Sequence, residues 1–181
     1  MVEQELISLL QSTSYIAGAL GVCIAAAYYI INLRVSQRAL KINMTNSLLQ
    51  SYASEEGQRR WIDLMNMKWS NYDEFERKYG SDDHPDKFAM RQSVFINFNS
   101  MGHLLKQGLV DRETIYNVTT MGAPWIWAKF KPIIMESEKR YSGKDNLIGF
   151  EYLVKEIMRM KLERDPSYKI PETLTQYVPE K

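Results

Sequence analysis

The chain begins with a long apolar stretch that contains no charged side chain. Residues 6–33 include no Asp, Glu, Lys, Arg or His, and residues 16–31 are almost entirely apolar. A helix rises about 1.5 Å per residue, so roughly 20 residues cross a bilayer core of about 30 Å. The pattern therefore predicts one transmembrane helix near the N-terminus. Two alternatives are a cleaved signal peptide, whose first region would be basic where this one is acidic, and a buried hairpin helix in a soluble protein.

The charges on the two sides of this stretch have opposite signs. Glu3 and Glu5 precede it, whereas three bases follow it with no acid among them. Because basic residues are retained on the cytoplasmic side of a membrane, we expect the N-terminus outside and the rest of the chain in the cytoplasm. Tyrosines near both ends are typical of the headgroup region. The predicted membrane-interface residues are Tyr15, Tyr28, Tyr29, Arg34, Arg38 and Lys41.

Small side chains recur at a spacing of four within the predicted span. This spacing places them on one helix face, and small residues let a second helix backbone approach closely in lipid. The predicted interaction face consists of Thr13, Ala17, Gly21 and Ala25. Ordinary alanine-rich composition is the alternative explanation.

Beyond residue 33 the apolar positions recur at helical spacing, and no segment alternates like a strand. The span is predicted to continue as a helix to about residue 51. A second helix begins after Ser54 and carries Trp69, and a third opens with Ser70 and Asp73 as a capping pair. The remaining start and stop signals are Gly80, Pro85, Gly108, Asp111, Gly122, Pro124 and Gly143, with a bend or break around Pro132 and a last helix over about residues 147–164.

These elements predict an all-α protein. One N-terminal transmembrane helix continues into a stalk, and a cytoplasmic bundle of about five to six helices and an extended C-terminal tail follow. The predicted divisions are 1–33 for the N-terminal segment and anchor, 34–53 for the juxtamembrane helix, 54–165 for the cytoplasmic helical domain and 166–181 for the tail. Pro171 and Pro179 prevent a continuous helix in the tail.

The amino-acid composition excludes several classes of protein and partner. Hydrophobic residues make up 45% of the chain and aromatic residues 12%, which favours a packed domain over disorder. All 23 basic residues but only 20 of the 22 acids follow residue 33, so that part carries a net charge of +3. This near balance argues against nucleic-acid binding, which needs a concentrated basic face. The single cysteine, Cys23, lies within the predicted span, so it cannot form a disulfide or a zinc site alone.

No catalytic motif is present in the sequence. Neither His84 nor His103 belongs to a Glu-x-x-His or His-Glu-x-x-His motif, and phosphate-loop and Gly-x-Ser-x-Gly motifs are absent. We therefore predict no catalytic, cofactor-binding or metal-binding residue and no cofactor. The alternative is a membrane-tethered enzyme that uses scattered carboxylates and His103.

Trp125 and Trp127 are separated by two positions on a predicted helix. Because residues two apart lie on different helix faces, only one of them can face the core. We expect the other to point toward lipid or a partner, and both are candidate interaction residues of the domain.

Residues 95–153 resemble a family of small prokaryotic single-span membrane proteins classed as a domain of unknown function. The matching residues are 95–111 (FINFNSMGHLLKQGLVD), Gly122, Trp127, Pro132 and 150–153 (FEYL). Asn99 stands where the family has an acid. The resemblance implies one N-terminal span followed by a compact helical region, and it implies no activity. Gly102 and Gly108 also have a plain explanation in close helix packing and a left-handed helix cap.

The sequence thus favours a non-catalytic single-span accessory or scaffold subunit of a larger integral-membrane protein complex. The expected partners are membrane lipid and one or more integral-membrane proteins, and no nucleic acid. A self-associating membrane scaffold, which would be a homo-oligomer, is a further alternative.

Overall fold

A computed structural model describes residues 2–141 and 147–168 of the chain. Within these ranges the protein is helical and contains no strand, which confirms the predicted all-α class. The helices are α1 (Val2–Ala53), α2 (Glu55–Asn66), α3 (Tyr72–Tyr79), α4 (Pro85–Lys106), α5 (Arg112–Thr119), α6 (Gly122–Tyr141) and α7 (Ile148–Arg164).

The chain divides into two compact units, Met1–Asn43 and Met44–Lys181. Every described side chain of the first unit is exposed. In the part of the chain that the structure describes, α1 is the helix long and apolar enough to cross a membrane, and none of its apolar window is buried. The described residues of α1 therefore do not form the buried hairpin helix that was the alternative interpretation.

The second unit has a hydrophobic core of its own. Helix α4 packs along α7, and α6 packs against the same helix. Aromatic rings link these helices, since the ring centroids of Phe98 and Phe150 lie 5.0 Å apart and those of Phe95 and Phe130 lie 5.3 Å apart. Its largest fully buried side chains are Phe75, Phe98, Phe130, Phe150, Leu64, Met101, Ile115, Ile126, Leu153, Ile157 and Met158.

Several predicted helix ends are confirmed by their capping geometry. The Ser54 hydroxyl accepts a hydrogen bond from the Gly57 amide at 3.0 Å, and the Asp111 carboxylate accepts one from the Thr114 amide at 2.8 Å. Gly108 has a φ of +68°, the left-handed conformation that the sequence predicts for the residue after α4. Capping side chains and one left-handed glycine therefore set these boundaries.

The third helix is capped by a different residue from the one predicted. The cap is Asn71, whose side chain accepts from the Glu74 amide at 2.9 Å. Ser70 instead donates from its amide to the Glu74 carboxylate at 2.7 Å. Asn71 satisfies a free amide of the first turn, whereas Glu74 reaches back to the amide of Ser70, which precedes the helix. The cap therefore lies one residue later than predicted.

Three further helix boundaries differ from the prediction. Trp69 lies beyond the end of α2, where its ring packs against Phe75 at 5.0 Å. Helix α5 ends before Thr120, and Gly122 begins α6 instead of closing α5. Helix α6 does not break at Pro132, because core residues on both sides of the proline, including Phe130 and Ile133, hold it in place. The predicted stop at Gly143 and the tail beyond residue 168 lie outside the described residues.

Candidate functional site

The predicted interaction face of the span lies on α1. Its residues, Thr13, Ala17, Gly21 and Ala25, are all exposed. A Cβ added at Gly21 would meet no atom within 4 Å, and the Thr13 hydroxyl donates to the Leu9 carbonyl at 2.7 Å. The predicted interface residues Tyr15, Tyr28, Tyr29, Arg34, Arg38 and Lys41 are likewise exposed. Residues 16–31 of α1 therefore present an apolar surface that is free to contact lipid or another helix.

The two neighbouring tryptophans of α6 point in different directions. Trp127 is 5% exposed and packs against Phe150, with ring centroids 4.9 Å apart. Trp125 is 45% exposed. Trp127 is thus a core residue that a partner cannot reach, and Trp125 is the member of the pair that faces outward.

Trp125 borders a groove of about 390 Å³, which we call the aromatic groove. The Trp61 indole donates to the Gly122 carbonyl at 3.3 Å, which ties α2 to the start of α6. Thr120 lies at the corner between α5 and α6 with a φ of +44°, a conformation that is strained for a β-branched residue. The groove is lined by Tyr52, Gln58, Trp61, Thr120, Met121, Gly122, Trp125 and Tyr168. It has no charged side chain, so it can hold apolar or aromatic groups.

A second concavity, of about 290 Å³, contains a buried positive charge; we call it the Arg91 cavity. It combines an apolar wall with five polar side chains. The apolar residues are Phe75, Phe95, Ile96, Ile133, Ile134 and Leu147, and the polar ones are Glu76, Arg91, Gln92, Ser137 and Glu138. Such a mixture of apolar surface with a few convergent polar groups is typical of small-molecule sites.

Arg91 is 5% exposed, although it carries a full charge. Its Nη1 atom donates to the Tyr79 carbonyl at 3.1 Å, and its guanidinium carbon lies 4.5 Å from the centre of the Phe75 ring. Among the described residues, no carboxylate oxygen lies within 4.0 Å of an Arg91 side-chain nitrogen, so Arg91 forms no ion pair with them. Burial lowers the pKa of Arg91, and the negative charge of Glu76 opposes this shift. The charge is therefore held by a carbonyl, aromatic faces and a more distant acid.

Tyr72 adds a second buried polar group to this region. Its hydroxyl is buried and has no hydrogen-bond partner among the described residues. Burial raises the pKa of Tyr72, the neighbouring Ser137 hydroxyl opposes this shift, and the negative charge of Glu76 adds to it. A buried polar atom without a partner is uncommon and marks a place where a further polar group can be accommodated.

The described residues give no support to a metal centre. They contain no group of three or more His, Cys, Asp or Glu side chains that could hold a metal ion. His84 and His103 are both exposed. The His103 ring lies against Gly149: a Cβ added to Gly149 would be 2.7 Å from the Cδ2 atom of His103. These contacts give His103 a packing role.

Arg91 is the residue that the sequence reasoning missed. It lies three residues after Phe88 and four before Phe95, so it falls within the apolar stripe of α4. A charged residue at such a position is the signal that could have identified it. The aromatic groove has no comparable signal, because Tyr52, Trp61 and Trp125 come from separate helices.

Comparison with known proteins adds no functional assignment. No family model matches the chain, and neither the curated proteins nor the solved structures provide a match. The resemblance of residues 95–153 to a family of single-span membrane proteins therefore stays a prediction, and inferences about function depend on the described residues themselves.

Proposed function

We propose that this protein is a non-catalytic, single-span accessory or scaffold subunit of a larger integral-membrane protein complex. The observation that carries the proposal is the exposure of α1. Its uncharged stretch has no protein cover among the described residues, whereas the second unit has a complete core. Apolar side chains of that number are stable only in contact with lipid or with another apolar helix.

The charges around the span support one orientation in the membrane. We propose that the N-terminus is outside and that the second unit is cytoplasmic, because Arg34, Arg38 and Lys41 would be retained on the cytoplasmic side. Their long side chains reach the headgroups from the end of the span. Tyr15, Tyr28 and Tyr29 would lie at the two headgroup layers.

The predicted interaction face of the span (Thr13, Ala17, Gly21 and Ala25) is the proposed contact with the partner. Gly21 lies at its centre, where the absence of a side chain lets a second helix approach. In the second unit, Trp125 is the exposed aromatic residue that we propose as a further contact with the same integral-membrane partner.

Purification from native membranes in mild detergent tests the proposal. We expect the protein to migrate together with an integral-membrane partner, and the Gly21→Leu variant to lose that partner because the added side chain separates the helices. Val22→Leu, one position along the helix and off the face, is the matched control. Migration of the wild-type protein as a lone monomer would contradict the proposal. A cross-linked homodimer that Gly21→Leu abolishes would favour a self-associating scaffold.

Cysteine labelling tests the orientation separately. In a Cys23→Ser background, Ser81→Cys lies at an exposed turn of the second unit and Gln4→Cys lies before the span. A membrane-impermeant thiol reagent should label Gln4→Cys in intact cells and Ser81→Cys only after lysis. The reverse result would invert the proposed topology. Loss of the N-terminal segment from the mature protein would instead identify a cleaved signal peptide.

A further inference from the structure

The Arg91 cavity has features of a ligand site that the proposed membrane role does not use. We propose that it binds a small zwitterion with a carboxylate, an ammonium group and a short apolar side chain, of the class of free apolar α-amino acids. Such a site is independent of the membrane partner, since all of its residues belong to the second unit.

Arg91 supplies the contact for the carboxylate. A guanidinium has five N–H donors in a planar fork, and the structure shows one hydrogen bond from Arg91, to the Tyr79 carbonyl. The remaining donors have no described acceptor, although the side chain is 5% exposed and lines the cavity. A carboxylate fits this fork through two parallel charge-assisted hydrogen bonds.

Glu76 and Glu138 supply the contact for the ammonium group. Both line the same cavity, and neither lies within ion-pair distance of a described Lys, Arg or His side chain. Their neighbours Lys78 and Arg140 pair instead with Glu74 and Glu136. The cavity therefore holds one cation and two carboxylates that are not paired with one another.

This charge arrangement selects a zwitterion over a simple ion. A purely anionic ligand would bring its charge near two carboxylates, and a purely cationic one would leave the donors of Arg91 without an acceptor. A molecule with both charges satisfies Arg91 at one end and an acid at the other. Ser137 and Gln92 add neutral hydrogen-bonding groups to the same cavity.

The remaining wall sets the size and polarity of the ligand side chain. Phe75, Phe95 and Ile133 form an apolar surface beside the charged groups. The volume of about 290 Å³ lies just below the range of roughly 300–1,000 Å³ that is usual for ligand pockets, so a small molecule is favoured over a peptide or a lipid.

Calorimetric titration of the full chain in detergent micelles tests the assignment. The probes are leucine, isoleucine, valine, methionine and phenylalanine, with N-acetylleucine and leucinamide as matched controls that lack the ammonium or the carboxylate charge. We expect saturable binding of at least one amino acid and at least about tenfold weaker binding of both leucine controls, since each loses a charge-assisted contact. No binding by any of the five amino acids, or equal binding of leucine and either control, would overturn the proposal.

Variants assign the binding to this cavity. Arg91→Lys keeps the charge but loses the planar fork, and Glu138→Gln keeps the shape but loses the acid; each should weaken binding by about tenfold. Arg59→Gln is the control, because Arg59 is exposed on α2 and pairs with Glu55 away from the cavity. Circular dichroism verifies that each variant is folded, and the partially exposed Glu138 keeps the test informative if changes at Arg91 disturb folding. Unchanged affinity in both cavity variants would place the ligand elsewhere and contradict the assignment.

Discussion

Gly102 of α4 and Gly149 of α7 bring the backbones of these two helices into direct contact. A Cβ added at Gly102 would lie 1.7 Å from the Gly149 carbonyl oxygen and 3.0 Å from its Cα atom. The first distance is far below any contact that a Cβ atom tolerates, the second is tighter than almost all of them, and neither atom belongs to a side chain that can rotate away. The close approach lets Phe98 of α4 stack on Phe150 of α7, with ring centroids 5.0 Å apart.

Gly102→Ala should therefore destabilise the second unit strongly. We expect a loss of about 3 kcal/mol or more, because the backbones must separate to admit the methyl group. Ser100→Ala, an exposed position on the same helix, should change the free energy of unfolding by about 0.5 kcal/mol or less. Thermal unfolding of the full chain, followed by tryptophan fluorescence, measures the difference. Equal melting temperatures for the two variants would show that the helices are not in backbone contact.

Asn99 caps the start of α7 from a neighbouring helix. Its Oδ1 atom accepts from the Phe150 amide at 3.1 Å, and Leu147, the local cap residue, makes no side-chain capping bond. Asn99→Ala should cost about 1 kcal/mol, whereas Asn99→Asp keeps an acceptor near the positive end of the helix dipole and should retain most of the stability. Chemical unfolding of both variants distinguishes the two effects. An equal loss in both would assign the role of Asn99 to its amide nitrogen instead.

Substitutions at Trp127 and Trp125 should have different effects, the first on the stability of the fold and the second on binding of the membrane partner. Trp127→Ala removes a buried ring next to Phe150 and is expected to cost about 3–5 kcal/mol. Trp125→Ala should cost under about 1 kcal/mol and leave the fold intact, but reduce recovery of the membrane partner in mild detergent. Melting temperature and partner recovery are measured on the same preparations. Full recovery with Trp125→Ala would remove this residue from the proposed contact.

Glu74 should make stability depend on pH in a defined window. Hydrogen bonds from Lys78 and from Ser70 lower the pKa of Glu74 from 4.5 to about 2. Because the folded pKa is below the unfolded one, its contribution is fully present above pH 4.5 and is lost as the pH falls toward 2. Glu74→Gln should melt below the wild-type protein at pH 7, and the difference should narrow across that window.

A second variant tests the cause of the Glu74 shift. Lys78→Met removes the cationic partner, whose Nζ atom lies 2.5 Å from Glu74 Oε1. The pKa of the Glu74 carboxyl, followed by carbon NMR, should rise toward 4.5 in this variant. A pKa that stays near 2 would assign the shift to Ser70 alone.

Local features of the sequence determined the helical class and several of the helix ends. The uncharged stretch of residues 6–33 predicts the long apolar helix because helix length and side-chain polarity are properties of contiguous residues. Ser54 and Asp111 predict their caps for the same reason, since a capping side chain reaches only the next turn, and Gly108 predicts a helix end because glycine adopts the left-handed conformation without strain. Where two polar residues competed for one cap, as Ser70 and Asn71 did, the sequence pattern could not choose between them.

Tertiary packing decided the features that depend on residues far apart in the chain. The contact of Gly102 with Gly149 requires α4 and α7 to cross at one place, and nothing near either glycine specifies that crossing. Pro132 predicts a bend or break from its missing amide; the helix does not break, because burial of Phe130 and Ile133 on either side outweighs one lost hydrogen bond. The Arg91 cavity arises likewise, because its cation, its acids and its apolar wall come from helices α3, α4 and α6. Sequence thus set what each helix is, and the free energy of burying distant side chains together set where the helices meet.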